Sequence, residues 1–289
     1  MRAAWDLLRR TALQWNTHNA PRLGAALAYY TVLSIAPLLV VVVAIASLVF
    51  GQEAAKGQLV WEIQDTVGAE AAKSIQSILQ SAHQPSTGVL ATVLGVGTLL
   101  IGASAVFAEL RDSLNLIWDV PAPPASGLWT IIKYRFFSFA MVLGIGFLLL
   151  VSLVLSAIIA GIGKYLSEFH AIPAPVLHAG NILLSFFVIT LLFALIYKLI
   201  PDVPIQWRDV WIGAAATSIL FTLGKTVIGL YLGRASIGSA YGAAGSLVIL
   251  LVWVYYSAQI FFFGAEFTHV YAMRKGDVKS RPEQRFQNA

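Results

Sequence analysis

The chain has 289 residues, of which 58% are hydrophobic and 11% charged, and its mean hydropathy is +0.77. Soluble domains are typically about 45–50% apolar and about 25% charged, so this composition excludes a water-soluble globular protein and a disordered one. The sequence contains no cysteine, which excludes disulfides, thiolate nucleophiles and zinc ribbons. A formal charge of +5 can indicate a nucleic-acid partner, so the positions of the basic residues decide its meaning.

Six segments of the chain are long and apolar enough to cross a bilayer, for which a helix needs about 20 mostly apolar residues. In chain order they cover residues 24–50, 88–108, 136–161, 176–199, 210–232 and 244–268. The sequence therefore predicts an all-α, polytopic membrane protein. We expect residues 1–270 to form a single six-helix membrane domain and residues 271–289 to form a basic, disordered cytoplasmic tail.

The basic residues lie mainly on one side of the predicted bundle. With the N-terminus inside, the cytoplasmic side receives both chain ends and the loops near Arg111, Arg135 and Lys198, whereas the outer loops hold few basic residues. This excess of positive charge predicts that both termini are cytoplasmic. Membrane topology thus explains the net positive charge, and no nucleic-acid partner is needed to account for it. The basic tail is expected to contact anionic lipid headgroups.

The largest segment outside the predicted spans is the extracytoplasmic loop 51–87. Apolar residues repeat at helical spacing over residues 59–67 and again over 75–82, which predicts two short amphipathic helices. These helices either form a cap packed on the bundle or lie at headgroup level, where they would touch lipid or a partner protein.

Four segments, in the same order along the chain, are similar to one known family. They are residues 25–39 (AALAYYTVLSIAPLL), 114–120 (LNLIWDV), 207–214 (WRDVWIGA) and 241–266, which begins YGAAGS and ends GAE. On these segments the chain resembles the YihY/virulence factor BrkB family. The resemblance covers about residues 20–270 and implies a six-helix protein of the bacterial inner membrane. It also implies a role in envelope integrity or virulence, an assumed transport activity and a historical ribonuclease label.

The residues themselves do not support a ribonuclease or another enzyme. A nuclease needs clustered carboxylates or histidines that hold a metal ion and position water. The five histidines are scattered and form no HxH, HxxxH or HExxH pattern, and no basic surface interleaved with aromatic residues is present for RNA. No Walker A motif is present, so transport would depend on a gradient or a partner. We expect no catalytic residues, no metal and no cofactor.

Polar residues at membrane depth are the strongest candidates for a substrate or gate site, because each is costly there. In the fifth span Thr222 and Lys225 share a helical face, so Lys225 either lines the bundle opposite an anion or extends to the interface. Glu266 and Glu109 lie at the cytoplasmic ends of the sixth and second spans.

In the first span, Tyr30 and Ser34 share a face with Pro37, and the proline is expected to kink this helix. A kink beside hydroxyl residues either opens a cavity or eases packing. The substrate or gate candidates are therefore Lys225, Glu266, Glu109, Tyr30, Ser34 and Thr222.

Charged residues at the cytoplasmic level form either a structural ion-pair belt or part of a gate at the inner leaflet. The structural candidates are Arg22, Arg111, Asp112, Arg135 and Lys198. A short internal repeat lies at the same level, with LIWDVP at 116–121 and LIPDVP at 199–204. A shared helix-stopping turn explains this repeat better than duplication, because the flanking spans do not extend the match.

The first hypothesis of function is that the protein transports or handles an amphipathic or anionic component of the cell envelope. One alternative is a non-transporting envelope or virulence scaffold that acts through loop 51–87, and another is an intramembrane lipid-modifying enzyme. The expected partners are membrane lipids, an envelope-component substrate, and either a second copy of the chain or another envelope protein.

Overall fold

The computed structural model describes residues 2–34, 72–73, 76, 105–121, 174–234 and 245–275. All regular structure in these ranges is helical, which confirms the predicted all-α class there. The helices are α1 (Arg2–Thr17), α2 (20–34), α3 (105–117), α4 (Ala174–Leu199), α5 (Trp207–Arg234) and α6 (Gly245–Lys275). Residues 72–73 and 76, in the predicted outer loop, are also helical.

Two of the described helices, α5 and α6, are long and apolar enough to cross a membrane. The qualifying segments are Trp207–Leu232 and Gly245–Arg274, and α4 contributes a shorter apolar stretch, Ser185–Leu199. Helices α4, α5 and α6 coincide with three predicted spans, and α2 contains the start of the first. The predicted span 136–161 lies outside the described residues, as do most of span 88–108 and of loop 51–87, so the count of six spans stays a prediction.

Helix α5 packs against both α4 and α6 around small residues. A Cβ at Gly213 would overlap the Thr268 hydroxyl, and a Cβ at Gly264 would overlap the Thr217 hydroxyl, so α5 and α6 approach closely at both positions. Close approach of this kind drives helix association in lipid, where acyl chains are as apolar as leucine. The buried Tyr197 of α4 joins the same layer, because its hydroxyl donates to a backbone carbonyl of α6 at 2.7 Å.

Helix α1 was not predicted from hydropathy, because it is too polar to be a span. It packs across α6. On one side of this contact Asp6, Arg10 and Gln14 line a polar cavity of about 610 Å³ against residues 270–274 of α6. On the other side Ala12 and Trp15 line an apolar groove of about 510 Å³ against α5 and residues 256–263 of α6. Since one flank of α1 faces residues 270–274 and the other faces residues 256–263, α1 lies across α6 between these two stretches.

Helix α6 continues to Lys275, beyond the predicted end of the sixth span at residue 268. Residues 271–275, which were predicted to belong to the tail, are helical. The physical reason is tertiary contact: Val270 and Ala272 are buried, and α1 lies against this last part of α6. Residues 276–289 lie outside the described residues.

Candidate functional site

A group of ionisable and aromatic side chains lies where the ends of α1 and α3 meet α6. We define the polar cluster as His18, Trp118, Asp119, Glu266 and His269. His18 precedes α2, Trp118 and Asp119 follow α3, and Glu266 and His269 are one turn apart in α6. Three segments that are distant in sequence thus converge at one place.

Two residues with left-handed backbone position the cluster, Asn19 with φ of 53° and Asp119 with φ of 52°. After α3, the Val120 amide donates to the Asn115 carbonyl and the Asp119 amide donates to the Leu116 carbonyl. This pattern is a Schellman motif with Asp119 at the position that glycine usually takes. Asn and Asp tolerate the left-handed region better than other non-glycine residues, so this turn ends α3 and places a carboxylate at the cluster.

The central contact of the cluster joins His18 to Glu266. Nδ1 of His18 lies 2.6 Å from Oε1 of Glu266, and Nε2 lies 3.8 Å from Oδ1 of Asp119. The Glu266 side chain is 0% exposed, whereas that of Asp119 is largely exposed. The hydrogen bond with Glu266 raises the pKa of the His18 imidazole, the charges of both carboxylates act in the same direction, and burial opposes them. The geometry therefore stabilises an imidazolium between two carboxylates.

Three further polar atoms of the cluster are buried without a hydrogen-bond partner among the described residues. They are Oε2 of Glu266, Nδ1 of His269 and Nε1 of Trp118. The Trp118 and His269 rings lie 4.9 Å apart between their centroids, and His269 is 2% exposed. A buried polar atom without a partner costs about 1–3 kcal/mol. Buried polar atoms without a hydrogen-bond partner are found mainly at functional sites.

The cluster has no metal-binding arrangement: in the described part of the chain no three His, Asp or Glu side chains are placed to hold an ion. What the cluster does contain is an imidazole in contact with carboxylates, His18 with Glu266 and Asp119. The ordinary pKa of histidine lies near 6.5, and neighbouring carboxylates shift it. A histidine in this position is suited to change its charge within the physiological pH range.

The second turn of the internal repeat is bonded to α3, just before the first turn. Arg111 of α3 donates to both carboxylate oxygens of Asp202, at 2.8 and 2.6 Å, and Asn115 donates to the same carboxylate at 2.8 Å. The Asp202 amide donates in return to the Asn115 side-chain oxygen at 2.8 Å. Within the second turn, Lys198 donates to the Ile205 carbonyl. A bidentate pair is geometrically specific, so it fixes the end of α4 against α3.

Glu109, a predicted gate candidate, is half-buried in α3 and does not belong to the polar cluster. Ser113 donates to its carboxylate at 3.5 Å. Burial raises the pKa of Glu109 and the charge of Asp112 raises it further, while Ser113 and the positive charge of Arg22 lower it. Glu109 thus lies with Asp112 and Arg22 in a separate charged neighbourhood, while Asp112 itself is exposed.

Lys225 and Thr222 lie on α5, where Lys225 is half-buried and Thr222 is exposed. The Thr222 hydroxyl donates to the Ser218 carbonyl at 2.8 Å, so it is satisfied within its own helix. Thr217 packs against Gly264, close to the level of Glu266. At about 1.5 Å per residue, Lys225 is about 12 Å farther along α5 than Thr217, so the polar cluster does not include it.

The candidates in the first span lie on α2 or beyond it. Tyr30 is half-buried, with its ring 5.5 Å from and edge-on to that of Tyr29. Ser34 is buried and donates to the Thr31 carbonyl at 3.1 Å. Pro37 lies outside the described residues, as does Arg135 of the predicted ion-pair belt.

Sequence reasoning found Glu266 and missed the other four residues of the cluster. The histidines were assessed by local spacing, but His18 and Glu266 are 248 positions apart. The only local signal was the spacing of three residues between Glu266 and His269, which places both on neighbouring turns of one helix. Asp119 stood in a repeated turn motif, where a helix-stopping role explained it fully.

Residues 11–288 of the chain match the family model described as virulence factor BrkB. The chain belongs to this family. The resemblance found in the sequence is thereby confirmed, and the match includes every residue of the polar cluster. No solved structure matches this BrkB-family chain.

Curated relatives of this BrkB-family chain carry the name UPF0761 membrane protein. The relative in Verminephrobacter eiseniae is 30% identical over 255 residues, which cover 85% of this chain and 57% of the relative. The relative in Alcanivorax borkumensis is 28% identical over 257 residues, which cover 88% and 57%. The relative in Actinobacillus pleuropneumoniae serotype 5b is 27% identical over 281 residues, which cover 91% and 94%.

The match with the first two relatives spans 57% of their length, so each of them is considerably longer than the region shared with this chain. The names of the relatives agree with the two long apolar helices α5 and α6. The chain is therefore a membrane protein of the BrkB family.

Proposed function

We propose that this protein is a multi-pass protein of the bacterial inner membrane, with both termini cytoplasmic, that transports or handles an anionic, amphipathic component of the cell envelope. It does so without hydrolysing ATP and without catalysing a reaction of its own. The polar cluster acts as its proton-linked gate.

The observation that carries the proposal is the burial of Glu266 in contact with His18. Its carboxylate is fully buried in a helix that is long enough to span a membrane, and one of its oxygens has no partner among the described residues. Ionisable groups in such helices are costly, and they typically mark substrate pathways and proton relays. A merely structural ion pair gains little stability over apolar packing of the same volume, so a buried pair needs another reason to be present.

The cluster also joins the parts of the chain that a gate has to move. His18 belongs to the turn between α1 and α2, Asp119 to the turn after α3, and Glu266 to α6. Loss of the proton from His18 removes the charge that attracts both carboxylates, so it weakens the contact between all three segments at once. A two-state element biased by protonation of histidine is an established form of switch.

The apolar groove between α1, α5 and α6 supports an amphipathic substrate. It is lined by Ala12, Trp15, Leu220 and Leu223 among others, and Trp15 lies one helical turn before His18 of the cluster. An apolar chain fits this groove, and an anionic group at its end would compete with Glu266 for the His18 imidazolium. The displaced buried carboxylate then takes up a proton, because an unpaired buried charge is too costly to keep. Binding of the anion and uptake of a proton are thus linked.

Lys225 remains a separate candidate for contact with an anion. It lies about 12 Å farther along α5 than the layer that contains Thr217, so a substrate would meet it at another stage of transport.

The test is mass spectrometry of the lipids that copurify with the gently extracted protein. We expect the wild type to enrich one anionic lipid or envelope precursor over bulk membrane lipid. His18→Gln removes the cation and should lose this enrichment, whereas Glu266→Gln removes the competing carboxylate and should retain it at acidic pH, where the imidazole still carries its proton. Glu109→Gln is the matched control, because it changes a half-buried carboxyl outside the cluster and should behave as the wild type.

The same variants are then compared in a deletion strain at equal protein levels. His18→Gln and Glu266→Gln should both fail to restore the envelope, since one loses the anion and the other loses the linked proton. Full complementation by both variants would disprove the gate. Bulk lipid in all samples would instead favour the alternative scaffold, which acts through the outer loop 51–87.

A further inference from the structure

Helix α1 presents two chemically different flanks as it crosses α6. The flank with Asp6, Arg10 and Gln14 faces the C-terminal end of α6, and Arg10 is paired there with Asp6 at 3.0 Å. The opposite flank, with Ala12 and Trp15, faces residues 256–263 of α6 and the apolar surface of α5. The polar flank thus points toward the end of the spanning helix and the apolar flank toward its interior.

The apolar flank extends beyond the groove as a continuous stripe. Trp5, Leu8, Ala12 and Trp15 follow one another at intervals of three, four and three residues, which places them on one face of the helix. Trp5 is 72% exposed and Leu8 is 45% exposed, so the stripe is not covered by the described helices. It joins the groove wall formed by Leu220, Leu223 and Val227, all three of which are exposed large hydrophobics on a candidate span.

A basic residue borders this stripe. Arg9 is exposed and lies four residues after Trp5, next to it on the helix surface. A helix with tryptophan and leucine on one face and arginine at its edge has the pattern of helices that lie in the plane of a membrane interface. The positive charge selects an anionic surface, since each basic residue near such a surface contributes about 1 kcal/mol.

We infer that α1 is an interfacial helix whose stripe of Trp5, Leu8, Ala12 and Trp15 lies at the boundary between headgroups and acyl chains of a bilayer rich in anionic phospholipid. The occupant is lipid because the stripe is continuous with the exposed apolar face of a spanning helix and carries a cation at its border. Since α1 ends next to His18, the same docking holds the imidazole against Glu266. The inference does not depend on transport.

The chain contains no cysteine, so a single cysteine carries a spin label without altering any other residue. Leu8→Cys places the label on the stripe. Leu13→Cys is the matched control, because Leu13 has the same side chain, is 58% exposed and lines the polar cavity on the opposite flank. Accessibility to oxygen, which concentrates in lipid, and to a water-soluble nickel chelate is measured by paramagnetic relaxation in vesicles with about one-third phosphatidylglycerol, a fraction that gives a strongly negative surface.

We expect the label at position 8 to be accessible to oxygen and protected from nickel, and the label at position 13 to show the reverse. Equal accessibility of both positions to nickel would overturn the inference, because α1 would then lie in water. Spin–spin broadening at position 8 would also overturn it, since the stripe would then be covered by a second copy of the chain.

Arg9→Gln tests the choice of an anionic surface with the label kept at position 8. Loss of one basic contact is expected to shift the ratio of docked to undocked helix about fivefold in phosphatidylglycerol vesicles, and to have no effect in vesicles of phosphatidylcholine alone. An equal effect in both lipids, or none in either, would show that charge does not select the surface.

Discussion

Replacement of Glu266 by glutamine should lower stability at acidic pH and reduce the dependence of stability on pH. Glutamine keeps the volume and one hydrogen bond to His18, but it removes the negative charge. The folded protein raises the pKa of His18 above its ordinary value of 6.5. The contribution of the pair is therefore complete below about pH 6.5 and is lost as the pH rises through the higher pKa of the folded state.

The size of the effect follows from the geometry of the pair. The two atoms are 2.6 Å apart, the Glu266 side chain is fully buried and that of His18 is 14% exposed, so solvent screens the contact weakly. A hydrogen bond to a charged group contributes about 1.5–3 kcal/mol. For a chain of this size, this corresponds to a decrease of roughly 3–8 °C in Tm at pH 6, which lies below the raised pKa of His18.

The assay is thermal unfolding in a mild detergent at several pH values between 6 and 9, with His18→Gln, Glu266→Gln and the double variant. Together the four proteins give the coupling energy between the two side chains, free of the separate effect of each substitution. We expect a coupling of about 1.5–3 kcal/mol at pH 6 that decreases as the pH rises through the raised pKa of His18. A coupling that is constant over this range, or that grows with pH, would refute the reasoning.

Three further predictions concern packing and backbone. Gly264→Ala should lower the free energy of unfolding by about 1–3 kcal/mol, because its Cβ would overlap the Thr217 hydroxyl. The control is Gly180→Ala, whose Cβ meets nothing within 4 Å and which should be neutral or stabilising. Equal Tm values for the two variants would contradict this prediction. Tyr197→Phe should cost about 1–3 kcal/mol by thermal unfolding, since it removes a buried hydroxyl with two hydrogen-bond partners, and an unchanged Tm would show that these bonds contribute nothing. Asp119→Gly should be more stable than Asp119→Ala by about 1 kcal/mol, because both lose the carboxylate but only glycine fits the left-handed turn without strain. The difference is measured by thermal unfolding, where the glycine variant should have the higher Tm.

The fold class was accessible from sequence because apolar runs need no tertiary information. A run such as 244–268 is too long and too apolar for a soluble domain, and helix is the form that satisfies its backbone in lipid. The polar helix α1 gave no such signal, since its amphipathic pattern is weak evidence until its neighbours are known. For the same reason the helical residues after 268 were not predicted as part of α6: they are less apolar, and contact with α1 keeps them helical.

The polar cluster could be predicted from the sequence only in part. Glu266 was identified because a carboxylate within an apolar segment is conspicuous in any membrane sequence. His18 was set aside because the five histidines form no local ligand pattern, and Asp119 was explained as part of a turn. The two turns of the internal repeat were interpreted correctly as helix-stopping turns on α3 and α4, but the bonds of Asp202 to Arg111 and Asn115 had no local signature.

Composition, the length of apolar runs and ordered motifs are properties of the chain alone. The membrane environment, the helical class and the family could therefore be predicted from the sequence. Only the tertiary structure shows which polar groups contact each other and which flank of α1 faces the apolar surface of α5. Both depend on contacts between segments up to 248 positions apart, and such contacts follow from the way helices pack. Periodicity within a helix fixes a face, but only the neighbouring helix gives that face a partner.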